Sequence, residues 1–303
     1  KMRISCEEFE KATGEKIFPL AQDFLEKNNL EYNDLTTDET ERVLSEIQRV
    51  LSSPLKLSGE SRLPDWEAGW SQNLTSEVTP GSLIPGYMNK HPIMRWGGKF
   101  VSTVSPNLEY LILSLLQLHL FEKWLANRSD IFEFGCGTGH NLLRARMANP
   151  TASLTGLDWT KASQEIIGRM NDSGVLLCKG RNFDFFKPDY SIDFPKGSAV
   201  YTFAALEQVG KNHKAFVKFL LDKEVDICLS IEPITELLDS SVEMEKLCID
   251  YCQKRNYLDG YMTHLQELES SGQVEILEAK RNYIGSMFIE GYMQVVWRPR
   301  SKV

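Results

Sequence analysis

The chain lacks what would mark it for a membrane, a disulfide scaffold or a polyanion. No apolar run reaches the roughly 18 to 20 residues that span a bilayer. The longest, Leu108–Leu125, is interrupted by Glu109, Gln117, His119, Glu122 and Lys123 and reads as a buried amphipathic helix. The charged N-terminus does not show the basic, apolar, small-residue order of a signal peptide. The six cysteines form no CxxC pair. Cys248 and Cys252 would share one helix face, but no second Cys or His pair completes a metal site, so no metal is expected. Reduced thiols and a cytoplasmic protein follow. The formal net charge is −8, and no run of Lys or Arg offers a track for a phosphate backbone. Nucleic acid and membrane are therefore not expected partners. There is no internal repeat and no low-complexity segment.

What is present is enough for a full core. The 303 residues are 42% apolar and 25% charged, which allows one large domain or a catalytic domain with an extension. Residues 1–60 read as helices, Glu7–Leu30 and Thr37–Leu51, the second capped by Thr37 or Asp38. Residues 52–107 carry Pro54, Pro64, Pro80, Pro85, Pro92 and Pro106 among Gly and Trp. Trp66, Trp70, Tyr87, Trp96 and Phe100 need burial, so this segment reads as an ordered linker or lid. The expected division is a helical extension and lid over 1–107 and an α/β domain over 108–303, with an insertion at about 239–272. In the second part, apolar strands at Ile131–Phe134, Ser153–Leu157, Val175–Cys178, Ala199–Phe203 and Val225–Ser230 alternate with helices. That pattern predicts a doubly wound, mainly parallel sheet. The last segments, Val274–Ile284 and Gly291–Trp297, predict a C-terminal antiparallel hairpin closing a seven-stranded sheet.

The chemistry is concentrated after the first of these strands. Ile131-Phe132-Glu133-Phe134 runs into Gly135-Cys136-Gly137-Thr138-Gly139-His140: an apolar strand, an acid, and a GxGxG turn that opens a helix. Glycine is needed where backbone must bend sharply or let a ligand touch it. A dinucleotide fingerprint would read GxGxxG, with its last glycine at the position held by His140. Leu154-Thr155-Gly156-Leu157 then delivers Asp158 at a strand end, where a carboxylate can accept from a ribose diol. Further on lie Gly180-Arg181-Asn182-Phe183-Asp184-Phe185-Phe186, Tyr201-Thr202-Phe203-Ala204-Ala205-Leu206-Glu207-Gln208-Val209 and Ser230-Ile231-Glu232-Pro233.

This register, (Asp/Glu)xGxGxG, resembles the first motif of the class I, Rossmann-like S-adenosylmethionine-dependent methyltransferases. The resemblance covers about residues 126 to 235. It implies S-adenosylmethionine as cofactor. The turn Gly135, Cys136, Gly137, Gly139 would pack on its methionyl part, Glu133 would help place the ammonium group, and Asp158, followed by Trp159, would take the ribose. It implies that Asp184 accepts from the adenine amino group with Phe183 or Phe185 on the ring, and that Phe203 and the segment after it face the transferred methyl. That segment often reads Leu-Glu-His-Val; here Gln208 replaces the His, so a His base is not expected at this place.

Methyl transfer from a sulfonium asks the protein chiefly for alignment and a dry site. An oxygen or nitrogen nucleophile must also lose a proton. Glu207, Glu232, His91 and Tyr87 are the candidates. Glu207 could equally be an acid favoured at a helix start, and Glu232 could merely tie down a loop. Tyr87, His91, Arg95 and Trp96 are candidate lid residues, or packing between the extension and the core. The expected substrate is a small molecule, and the assembly a monomer or homodimer. Two other classes remain: a non-catalytic S-adenosylmethionine-binding regulator, and an NAD(P)-dependent oxidoreductase. The second has the wrong glycine spacing, and no Ser or Tyr precedes a Lys by four positions after the turn.

Overall fold

A computed structural model describes residues 1–301. The N-terminal part is not purely helical. In chain order it holds β1 (Met2–Arg3), α1 (Cys6–Thr13), α2 (Pro19–Lys27), β2 (Glu31–Asp34), α3 (Thr37–Leu51), α4 (Leu63–Ser71), β3 (Ile93–Trp96) and β4 (Lys99–Thr103). The single helix expected over Glu7–Leu30 is two. Ser5 and Glu8 form a reciprocal capping box at the start of α1, Gly14 ends it in a left-handed conformation, and Pro19 opens α2. Helix α3 has the expected bounds, but Thr36 is its cap, paired with Glu39.

The α/β part follows: α5 (Leu108–Leu125), β5 (Asp130–Phe134), α6 (His140–Ala148), β6 (Ser153–Asp158), α7 (Lys161–Asp172), β7 (Lys179–Asn182), β8 (Ala199–Phe203), α8 (Lys214–Asp222), β9 (Ile227–Glu232), α9 (Glu243–Lys254), α10 (Tyr261–Ser270), β10 (Val274–Lys280), β11 (Ile284–Ser286) and β12 (Met293–Pro299). The main sheet has seven strands in the order β10-β12-β9-β8-β5-β6-β7. Strands β5 to β9 are parallel; β12 runs antiparallel to β9 and β10 to β12. Helices α9 and α10 make up the insertion. Strand β7 lies four residues later than the apolar run Val175–Cys178 predicts. It is the sheet edge and is largely exposed, and an edge strand needs no continuous apolar pattern. In the run itself Leu176 is buried and Leu177 is 70% exposed.

A second sheet, β1-β2-β4-β3-β11, is entirely antiparallel. Its centre is a hairpin turned by Gly97-Gly98, both at positive φ. Strand β11 belongs to it although it lies between β10 and β12 in sequence. The C-terminal pair is thus antiparallel as expected but not a tight hairpin: its connection leaves the main sheet, crosses the boundary expected at 107/108, and returns.

Helix α5 ties the two parts together. Nearly all its residues are buried, so it is apolar all round rather than amphipathic. Most of its polar groups find a partner. Ser114 donates to Tyr110 O, Gln117 to the Asn141 side chain, and His119 accepts from the Phe18 N–H at Nδ1, which leaves Nε2 to donate to Glu15 at 2.8 Å. Among the described residues no helix is long and apolar enough to cross a membrane.

Glu15, in the link between α1 and α2, receives Lys123 of α5 at 2.6 Å and Lys280 of β10 at 3.2 Å. Burial alone would raise its carboxyl. Hydrogen bonds from Lys123 and His119 and the nearby lysine charges overrule that and hold it at about 2, against an ordinary 4.5. A pKa depressed on folding stabilises above the unfolded value and is lost as pH falls through the folded one. We expect Glu15→Gln to cost about 1 kcal/mol at pH 7, solvent screening of this half-buried group removing most of the larger cost that the shift alone implies. In denaturant titrations the gap between parent and variant should be constant above about pH 5 and close between 4.5 and 2. A gap that widens in acid contradicts this.

Candidate active site

Strand β5 ends in a turn that only glycine can make. Gly135 has φ 76°, and a Cβ placed there would lie 2.3 Å from the Ala205 Cβ in the loop after β8. The turn is then fastened. Gly135 and Cys136 donate to Leu157 O, the Gly139 N–H to Cys136 O, and the Ser163 hydroxyl to Gly137 O. Asp158, at the end of β6, accepts from the Gly137 N–H at 3.0 Å, the Thr160 N–H at 2.9 Å and the Thr160 hydroxyl at 2.7 Å. Burial pushes its carboxyl up, and those bonds restrain it. The Cys136 thiol, buried beside Ser163, is also raised by burial.

These loops floor a cleft at the carboxyl ends of β5 and β6, beside the point where the strand order reverses. Of the residues singled out in the sequence, Gly135, Cys136, Gly137, Asp158, Trp159, Phe183, Asp184, Phe203 and Tyr87 line it. Gly139 sits just behind as the cap of α6. Glu133 lies a layer deeper, fully buried, accepting from Asn141 Nδ2 at 2.7 Å and the Tyr201 hydroxyl at 2.8 Å. Burial raises its carboxyl to about 8, with those two bonds opposing. It is Asn141 that reaches the cleft. Asn141, Thr138, His140 and Phe186 line the wall without having been singled out; Thr138 lies within the glycine turn and His140 and Asn141 directly follow it, which was the available signal. His140 is held neutral, since burial drops its pKa to about 3. The charged side chains of the lining are Asp158 and Asp184, with no Lys or Arg among the described residues.

Helix α4 and the segment after it roof the cleft. Trp66 and Trp70 lie 5.2 Å apart, with Tyr87 edge-on to both. The Glu67 carboxylate latches the helix down by accepting from the Lys161 and Ala162 N–H groups at the start of α7, at 2.9 and 2.6 Å. Thr138 donates to Leu83 O. Two of the other three lid candidates are elsewhere. Trp96 is 2% exposed in the small sheet. Arg95, 1% exposed, lies over the Phe100 ring and donates to the carbonyls of Met244, Met287 and Phe288. They are packing, because both faces of β3 are covered: Trp96 joins the main core on one side, and Arg95 lies over Phe100 toward α9 on the other.

A second cavity adjoins the first, with Trp66, Tyr87, Ala204 and Gln208 lining both. Ala204 sits at φ 48°, a strained conformation for alanine where β8 gives way to the loop between the cavities. Glu207 and Glu109 face this second space. Glu232 lines neither cavity; it accepts from the Ala205 and Leu206 N–H groups at 3.0 and 2.7 Å, which fastens the loop from behind. Burial, reinforced by Glu232, raises Glu207 to about 8; burial raises Glu232 to about 7. His91 is exposed at the mouth, edge-on to Phe288. Cys248 and Cys252 are buried on α9, and no group of three His, Cys, Asp or Glu among the described residues could hold a metal ion.

The topology and this placement of the cleft can be set beside solved structures. The N-methyltransferase NodS from Bradyrhizobium japonicum WM9, in complex with S-adenosyl-L-homocysteine, aligns over 80% of this chain and 100% of its own, with 11% identity and a TM-score of 0.51. The chain has the class I methyltransferase fold. The S-adenosyl-L-homocysteine-bound methyltransferase PaMTH1 of Podospora anserina aligns over 88% of this chain and 98% of its own, at 12% identity and a TM-score of 0.42. Human N-acetylserotonin methyltransferase aligns over 62% and 56%, at 15% identity and 0.42. No protein-family model and no curated protein matches the sequence. On this methyltransferase fold, α4 and the small sheet cover the carboxyl ends of the strands.

If Glu67 is the latch, Glu67→Ala should free α4. Two hydrogen bonds to a charged group are worth about 1.5 kcal/mol or more, so proteolytic cleavage between residues 60 and 90 should speed up about tenfold with the main sheet still resistant. An unchanged cleavage pattern would place the latch elsewhere.

Proposed function

We propose that the protein is an S-adenosylmethionine-dependent methyltransferase acting on an oxygen or nitrogen nucleophile of a small molecule, in a reducing compartment such as the cytoplasm, where its six free cysteines persist as thiols. The observation that carries this reading is the pair of adjoining cavities, one floored by the glycine turn and acid-lined, the other presenting Glu207.

The residues of the first cavity suit this cofactor. Its charged groups are both carboxylates, which match hydroxyl and amino donors and a positively charged ligand. A dinucleotide pyrophosphate would meet Asp158 and Asp184 with no basic side chain to offset them, which disfavours NAD. Asp158 would hold the ribose diol through the lone pairs its internal bonds leave free. Asp184 would accept from the adenine amino group, with Trp159, Phe183 and Phe185 around the ring. Glu133 would act through Asn141 rather than by contact. When bound, the cofactor supplies a methyl group already activated on a sulfonium. The chain's own part is to exclude water with Trp66, Trp70 and Tyr87, to hold the acceptor against the Ala204–Gln208 loop, and to take a proton at Glu207. The presence of that second, acid-bearing cavity favours an enzyme over a regulator that only binds the cofactor. The aromatic roof and the net charge of −8 favour a small molecule over a polyanion.

Titration calorimetry should show binding of S-adenosylhomocysteine and none of NAD; the reverse pattern would overturn the reading. Asp158→Ala should weaken S-adenosylhomocysteine by about 1.5 to 3 kcal/mol, ten- to a hundredfold in Kd. It should also lower Tm, since the Gly137 and Thr160 N–H groups lose their acceptor. Unchanged affinity in the variant would assign the ribose elsewhere.

A further inference from the structure

The second cavity contains two buried carboxylates that make no ion pair among the described residues. Glu109 enters from the first turn of α5, is 7% exposed, and accepts one hydrogen bond, from the Asn89 N–H at 3.3 Å. Glu207 enters from the loop after β8 and is met only by Gln208 Nε2, at 3.4 Å. That contact fixes the Gln208 amide, whose Oε1 is left buried with no partner. Behind Glu207, one oxygen of Glu232 is likewise buried and unpartnered. None of the three carboxylates has a Lys, Arg or His within ion-pair distance among the described residues. A buried, unpaired carboxylate is costly. Burial accordingly raises Glu109 to about 7 and Glu207 to about 8.

The cations around this space are only partly engaged. Arg62 pairs with Asp65 at 2.7 Å and keeps Nη1 buried without a hydrogen-bond partner. Arg255 lies over the rings of Tyr251 and Tyr257 and donates to the Tyr251 hydroxyl at 3.0 Å; its Nε has no partner, and its charge acts on Glu207 from beyond ion-pair distance. Lys90 and His91 are exposed at the mouth. The remaining wall is aromatic, chiefly Tyr87, Tyr292 and Phe288, and ring faces attract a cation. Tyr292 stacks at 5.3 Å on Phe203, which lines the first cavity, so this wall reaches the boundary between the two.

We propose that the acceptor is an amine on an apolar or aromatic skeleton, bound as its ammonium ion between Glu109, Glu207, the Gln208 carbonyl and the tyrosine rings. An ammonium brings both the missing charge and several N–H donors; an alcohol or phenol brings one donor and no charge, and a carboxylate brings repulsion. Binding of the cation favours the ionised form of Glu207, whose own proton leaves to solvent. The carboxylate then takes one proton: an N–H bond of the ammonium breaks, its electron pair stays on nitrogen as the nucleophilic lone pair, and an O–H bond forms on the carboxylate, which later gives the proton to water. This rests on the methyl-transfer reading above.

The test is calorimetry at pH 7.5 on the full chain, first with S-adenosylhomocysteine, then on the saturated protein with 2-phenylethylamine, 2-phenylethanol and 3-phenylpropionate. The amine should bind at least about tenfold tighter than the alcohol, and the carboxylate most weakly. Glu207→Gln and Glu109→Gln should each bind S-adenosylhomocysteine normally, showing an intact fold, while losing most of the preference for the amine. If S-adenosylhomocysteine binds but the amine binds no better than the alcohol, or not at all, the amine proposal is overturned and the methyltransferase reading survives. If the preference persists in both variants, the ammonium is not held by these carboxylates and the proposal fails. If S-adenosylhomocysteine itself does not bind, both fall.

Discussion

The loop after β5 and the loop after β8 meet where no side chain fits. Gly135 lies against Ala205 so closely that a single methyl group would collide, and the rest of the site follows from that approach. The β5 loop floors the first cavity; the β8 loop separates it from the second and carries Ala204, Glu207 and Gln208. Each loop is held from its own side. Asp158 grips Gly137, and Glu232 grips Ala205 and Leu206. Two buried carboxylates thus spend most of their hydrogen bonds on backbone N–H groups. The two compartments are built as one rigid unit of strand ends, the kind of support that precise alignment of reactants needs.

The second constraint is that this unit must be closed to water by residues far away in sequence. Helix α5 makes that possible. It is buried on all sides, presents Glu109 to the second cavity and Gln117 to Asn141 in the first, and anchors α1 and α2 through His119 and Lys123. The small sheet completes the enclosure. Because β11 leaves the C-terminal strands to join β3, Phe288 and Tyr292 on the same excursion are brought to the acceptor side, opposite Trp66 and Tyr87 from the N-terminal part. The second cavity is therefore made by segments that are remote in the chain.

Much of the main sheet was legible because its physics is local. Apolar strands alternating with helices imply parallel pairing, and a glycine turn with an acid at the next strand end implies a crevice. The cofactor side of the candidate site could be read for the same reason: Gly135, Gly137 and Asp158 lie at ends of adjacent strands. What could not be read depends on pairing at a distance. The edge strand β7 is polar and exposed, so hydropathy pointed to Val175–Cys178 instead. The Gly97-Gly98 hairpin signal was present, but its partners β2 and β11 lie far away on either side. Glu133 has the right register, yet β5 alternation turns it toward α6 and Tyr201 of β8, so it supports the cleft from behind. Arg95 and Trp96 looked like lid residues only while β3 was unseen. Glu109 was read as a break in an apolar run, because nothing in the sequence shows that this helix start faces a cavity.

The central claim is that the glycine turn, the roof of α4 and the loop after β8 enclose one reaction chamber. Hydrogen exchange of the backbone amides, followed with and without saturating S-adenosylhomocysteine, tests it most directly. The account predicts slowed exchange in three separate segments, residues 63–71, 135–141 and 204–209, with the small sheet little changed. Protection that spares 135–141, or that leaves 63–71 exchanging as fast as before, would contradict it.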